Sequence, residues 1–149
     1  MSIAPVGIVT DVQPHPNSAS LDIVTIVGKI NVANRPAPEQ PRYKIGDHAI
    51  VLGENLILPE ALIKHLDMWN EVKNKGGLAG NKGNRTKARN VGGVLSEVAL
   101  CRVDIDVFGF TKAVQVIYDG NLYSKVVSET IEGTDMADLL GITEYVPFN

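Results

Sequence analysis

Short runs of β-branched and aliphatic residues, interrupted every six to ten positions by Pro, Gly or Asn, set the pattern of this chain. VGIVTDVQ (6–13) and LDIVTIV (21–27) read as strands, separated by the breaker PHPNSAS. Lys29–Val32 begins a third strand after Gly28, and the connections are too short for a crossover helix, so an antiparallel meander is expected. The proline-rich NRPAPEQPR (34–42) reads as a loop, followed by a Gly46-Asp47 turn and the strand HAIVL (48–52). PEALIKHLDMW (59–69) places Leu62, Ile63, Leu66 and Trp69 at helical spacing, with Pro59 and Glu60 suited to a first turn; Trp69 is expected to serve the core. Val94–Val103, Val107–Phe110, AVQVIY (113–118) and Leu122–Val127 complete the strands, the last two joined at Asp119-Gly120-Asn121. In the tail, Thr134 is expected to cap a second short helix that stops at Gly141. Many short strands with two short helices point to a mostly β protein built as a small antiparallel β-barrel.

Length and composition agree with a single domain over residues 1–149: 44% hydrophobic, 21% charged, and only 5% aromatic. Cys101 is the sole cysteine, so disulfides and cysteine-based zinc sites are excluded within the chain, and its neighbours suggest a buried structural thiol. The start of the chain lacks a secretory signal, and no run approaches the roughly 18 apolar residues of a membrane span. A soluble cytoplasmic protein is expected.

Charge changes the picture at one stretch. The whole chain carries −3, yet the segment 73–89 contains Lys73, Lys75, Lys82, Arg85, Lys87 and Arg89 without one acidic residue. That stretch is +6 and the remainder −9, a reversal of sign suited to a polyanion. Residues 73–84, rich in Gly, Lys and Asn, read as a flexible basic loop. Arg85, Lys87 and Arg89 alternate, which in an extended backbone sets all three on one face. Asn90 and Ser96 are candidate polar partners for phosphates. Tyr43, Tyr118 and Tyr123 are the aromatic candidates, Tyr43 the one assigned to the site.

Other chemistry finds little support. His15, His48 and His65 lack metal-ligand spacing, and Asp104 with Asp106 share a strand face that solvation explains better than a cation. The glycines of KGGLAGNKG form no Walker motif, and no cofactor or metal is expected.

Four stretches taken in order, VTDVQPHPNSASLDIVTIVG, YKIGDHAIVLGENLILP, NRTKARNVGGVLSE and IEGTDMADLLGITEYVP, resemble the N-terminal module of RNA ligases of the Deinococcus type. That family carries an OB-fold-like domain ahead of its nucleotidyltransferase domain. Its members show a His-Pro turn, a Lys-x-Gly-Asp strand start, a polar run ending in Leu-Pro, and an Arg-x-Lys-x-Arg pattern leading to Gly and Ser. OB-fold tRNA-binding domains share a weaker form of the order. The resemblance covers most of the chain and is interrupted over residues 104–127. It implies an OB-like barrel that binds RNA. Where the family has Arg-Gly followed by Ser-Gln-Gly, this chain has Gly92-Gly93 and Ser96-Glu97-Val98. The nucleotidyltransferase motif Lys-x-Asp-Gly is matched only by Ile117-Tyr118-Asp119-Gly120, and isoleucine forms no phosphoramidate, so this string is expected to be a hairpin turn. The chain stops about where the family's catalytic domain begins.

Two function classes follow. One is a non-catalytic RNA-binding module, the detached N-terminal part of an RNA ligase system, with RNA or a nucleotide as ligand and a ligase chain as partner. The other is a homo-oligomer in which uncovered strand edges pair and the basic stretch meets a neighbour's acidic surface, structural in role or holding an anionic ligand such as a nucleotide between subunits.

Overall fold

A computed structural model describes residues 2–127 and 130–147. Strands β1 (Val6–Pro14), β2 (Leu21–Ile26) and β3 (Lys29–Asn34) form the expected meander. The strand β4 (His48–Leu52) pairs with the first half of β1, and β5 (Leu56–Ile57) follows it. Helix α1 (Glu60–His65) leads into a small hairpin of β6 (Trp69–Asn70) and β7 (Lys75–Gly76). A second hairpin joins β8 (Arg89–Val91) to β9 (Val94–Ser96), and β10 (Ala99–Arg102) runs beside β4. Then β11 (Asp104–Phe108), β12 (Thr111–Tyr118) and β13 (Asn121–Val127) make a three-stranded meander. Helix α2 (Ala137–Leu140) and β14 (Thr143–Glu144) close the order, β14 pairing with β5.

The main sheet has the order β10-β4-β1-β2-β3, all antiparallel, and curls into a half-barrel. The curl begins where β1 changes partner. Its register slips between Val9 and Asp11, and the freed backbone of Val9 bonds the 44–47 turn instead: Gly46 N–H to Val9 O at 2.9 Å, Val9 N–H to Asp47 O at 2.8 Å. Because β4 lies inside the curl and is also covered outside, it is apolar on both faces. Ala49 and Val51 join one core with Val9, Val24, Ile26 and Leu100; Ile50 and Leu52 join the other with Leu62, Ile63, Val114 and Met136. That explains the unbroken run HAIVL, where a half-exposed strand would alternate.

Three expectations are corrected here. Helix α1 stops short of Trp69: Asp67 adopts φ 59°, Met68 N–H turns back to Ile63 O at 3.0 Å, and Trp69 begins a hairpin, half-buried against the core. The strand expected over 94–103 is two strands, since the N–H groups of Glu97 and Val98 both go to Ile30 O. Thr134 does not cap α2. The N-cap position is Met136, without a side-chain cap; Asp135 just before it accepts from Ala137 N at 3.0 Å and from Ile3 N and Ala4 N at 2.9 and 3.0 Å. Gly141 terminates α2 in the left-handed conformation, and Cys101 is buried, both as expected; burial pushes its thiol up to about 12. Among the described residues no helix is long and apolar enough to cross a membrane.

Candidate nucleic-acid interface

The alternation of Arg85, Lys87 and Arg89 has a physical origin in the residue between the first two. Thr86 is buried, and its hydroxyl donates to Gly53 O at 2.6 Å while accepting from Leu56 N at 2.8 Å. Its backbone bonds in both directions as well, Thr86 N to Leu56 O at 2.9 Å and Asn55 N to Thr86 O at 2.8 Å. With Thr86 pinned inward against the β4–β5 connection, the pleat leaves Lys87 and Arg89 exposed on the outer side. Thr86 was not among the residues singled out in the sequence. The signal for it was there: small Thr86 and Ala88 alternate with long cations.

Beyond Ala88 the strip becomes β8 of the Gly92-Gly93 hairpin. Both glycines have positive φ, 60° and 92°, the conformation a two-residue hairpin needs, so these glycines shape a turn. Asn90 serves the same turn, its Oδ1 accepting from Gly93 N at 2.8 Å. The hairpin is latched to the 14–20 turn: Asn17 N–H donates to His15 Nδ1 at 3.0 Å, which leaves Nε2 as the donor to Val91 O at 2.9 Å, and Asn17 Nδ2 donates to Gly92 O at 2.9 Å. On the other strand, Ser96 is buried with its hydroxyl accepting from Val32 N at 3.0 Å. Glu97, standing where the family pattern has glutamine, accepts from Ile30 N at 2.9 Å.

The segment 73–84, read as a flexible loop, has a hydrogen-bonded path. Gly77 N bonds Met68 O at 2.7 Å, Leu78 N bonds Gly83 O at 2.9 Å, and Ala79 and Arg85 exchange both backbone bonds. At its crossing, Gly76 and Gly83 approach so closely that a Cβ on either would overlap the other's carbonyl oxygen. Lys73 sits in the β6–β7 turn, its N–H bonded to Asn70 Oδ1 at 3.0 Å; Lys75 lies on β7 and Lys82 in the 80–83 turn.

The sites of the remaining candidates differ. Arg85 is half-buried, its Nε is buried without a hydrogen-bond partner among the described residues, and its guanidinium lies 4.5 Å over the Tyr145 ring. Tyr43 is only 6% exposed and belongs to the core inside the curl, with the Arg102 guanidinium 4.9 Å over its ring and burial pushing its phenol up to about 12. A ring so enclosed offers no face to a base. Tyr118 is buried too, stacked on Tyr123 at 4.6 Å between centroids.

The ion pairs among the described residues are Arg35–Asp22 at 2.6 Å, Lys64–Glu60 at 3.3 Å and Arg102–Asp47 at 3.1 Å. None involves the six cations of 73–89. Beside the strip opens a cleft of about 200 Å³, rimmed by exposed Lys87 and Arg89 and floored by Asn31, Leu52, Thr86 and Val98. A hollow of about 290 Å³ elsewhere is lined by Glu54 and Glu144 and does not suit an anion. No group of three or more His, Cys, Asp or Glu is placed to hold a metal ion among the described residues. Asp119-Gly120 forms the β12–β13 turn, as expected for Ile117–Gly120.

No protein-family model and no curated protein sequence matches the chain. Among solved structures it is similar to Naegleria gruberi RNA ligase with PPi, at TM-score 0.64 and 14% identity, over 100% of this chain and 36% of the ligase. A variant of that ligase with AMP and Mn gives TM-score 0.61 and 16% identity, over 97% and 35%. The chain thus spans about a third of the ligase's length, and at these identities the likeness is one of fold.

Proposed function

We propose that this chain is a nucleic-acid-binding module without catalysis of its own, OB-like and of the kind that precedes the nucleotidyltransferase domain in Deinococcus-type RNA ligases. RNA is its ligand in this reading, and a ligase chain its partner. The order of motifs along the sequence and the likeness of fold to an RNA ligase both support it. The observation that carries it is the strip itself: Lys87 and Arg89, without a carboxylate partner among the described residues, held outward by a buried threonine. Surface cations placed for solubility need no such peg. A stripe that tracks a phosphate backbone does, because phosphates repeat at fixed spacing and the cations must not wander.

Each phosphate neutralised on a single strand contributes about 0.7 to the salt slope of binding. Replacing Lys87 and Arg89 together by Ala is therefore expected to weaken retention of single-stranded RNA and lower that slope by about 1.4. Arg85 is left intact in this variant because Tyr145 is packed beneath it. Affinity and slope both unchanged in the double variant would sink the proposal.

A second reading, a self-assembling homo-oligomer, is favoured by one observation: Phe108, Ile117, Leu122 and Val126 are exposed together on the outer face of the β11–β13 meander. Light scattering at low and high salt separates the two. A salt-resistant dimer indifferent to RNA supports assembly through this face; a monomer that shifts RNA supports the module.

A further inference from the structure

We infer that the cleft beside the basic strip is a nucleobase subsite, into which a single strand running along Lys87 and Arg89 inserts one base. This rests on reading the strip as a phosphate track and adds how the strand is held once it is there.

Size is the first argument. At about 200 Å³ the cleft falls below the roughly 300 Å³ at which sites for drug-sized ligands begin, so it takes one ring system and not a whole nucleotide or a duplex. Its walls are the second. Met68, Leu78, Ala88 and Ala99 line it as half-buried apolar side chains above buried Leu52 and Val98. A flat ring placed between them removes apolar surface from water on both its faces, and a methionine sulfur packs well against an aromatic ring.

The polar groups decide which ring. Asn31 is 8% exposed, donates through Nδ2 to Val98 O at 2.8 Å, and its Oδ1 receives no protein hydrogen bond among the described residues. Glu97 accepts from Ile30 N through Oε2, and the residue lines the same cleft. Both are acceptors, and they ask for N–H donors. Every nucleobase carries at least one N–H on its Watson–Crick edge. The Glu97 carboxylate also repels a phosphate from the interior, so the anionic part of the ligand stays at the rim with Lys87 and Arg89 while the base enters. An enclosed site of this kind replaces the exposed aromatic platform that many single-strand binders use, and Tyr43 and Tyr118 are both buried here.

The test compares a short single-stranded RNA with an abasic sugar-phosphate polymer of equal length, by equilibrium binding to the full chain. The unaltered protein is expected to prefer the base-bearing strand by about tenfold, the worth of one well-buried ring. In A88F, which fills the cleft, that preference is expected to vanish while the salt slope stays. Equal binding of both polymers by the unaltered protein overturns the subsite and leaves the phosphate track standing. A preference that survives in A88F, with a melting curve showing the variant folded, overturns it as well. If neither polymer binds, the track itself has failed and the subsite with it.

Discussion

The curled sheet and the β11–β13 meander are both antiparallel and both rich in Val and Ile, yet they end in opposite situations. In the curled sheet, β4 is covered on both sides and every apolar residue from Ala49 to Leu52 is buried. In the meander, the inner face delivers Val114, Val116 and Tyr118 to the core, while Ile117 stands 64% exposed and opposite Leu122 on the outer face. Strand chemistry alone does not separate the two. What separates them is whether something else, α1, α2 or a neighbouring sheet, lies on the second face.

The sharpest way to break this comparison is at the crossing of Gly76 and Gly83, which ties the basic segment to the covered side of the molecule. Gly76→Ala drives a methyl into the Gly83 carbonyl, whose oxygen is already held by Leu78 N–H, and is expected to cost about 3 kcal/mol in denaturant unfolding. A neutral result would mean the segment 73–84 is not part of the cooperative fold. Next in size is the contrast within β12. Val114→Ala on the inner face is expected to cost about 2 kcal/mol, and Ile117→Thr on the outer face to stay within about 0.5 kcal/mol. Equal costs for the two would show the outer face covered in solution, as the homo-oligomer requires.

The smallest effect concerns Asp135, which clasps Ile3 and Ala4 to the start of α2. Burial pushes its carboxyl up, but the three N–H donors from Ile3, Ala4 and Ala137, with Lys125 nearby, outweigh that and hold it below the usual carboxylate range. A carboxyl held low in the fold contributes stability above the ordinary value of about 3.9 and loses it as pH falls through the folded value. Asp135→Asn is therefore expected to lose about 1 kcal/mol at neutral pH, with the gap to the unaltered protein closing in acid. A gap independent of pH would assign the loss to packing instead.

Much of this protein was legible from local pattern. The runs VGIVTDVQ, LDIVTIV and AVQVIY became strands, and Asp119-Gly120 became a hairpin, because alternation and turn conformation are properties of adjacent residues. The basic stretch was equally visible, since charge is additive along a chain. Where local reading failed, the deciding partner was far away. Asp135, and not Thr134, bonds the start of α2, because its carboxylate also meets backbone at Ile3 and Ala4, and the strand expected over 94–103 broke because Ile30 takes the N–H groups of Glu97 and Val98. Tyr43 and Ser96 looked available and proved enclosed, one beneath Arg102 and one bonded to Val32. The sequence by itself determined the strand-rich class, the hairpins and the sign of the surface. Tertiary structure alone decided which cations are held outward, that Thr86 holds them, and that a cleft lined by Asn31 and Glu97 opens beside them, because a buried hydrogen bond is a relation between segments that no single stretch contains.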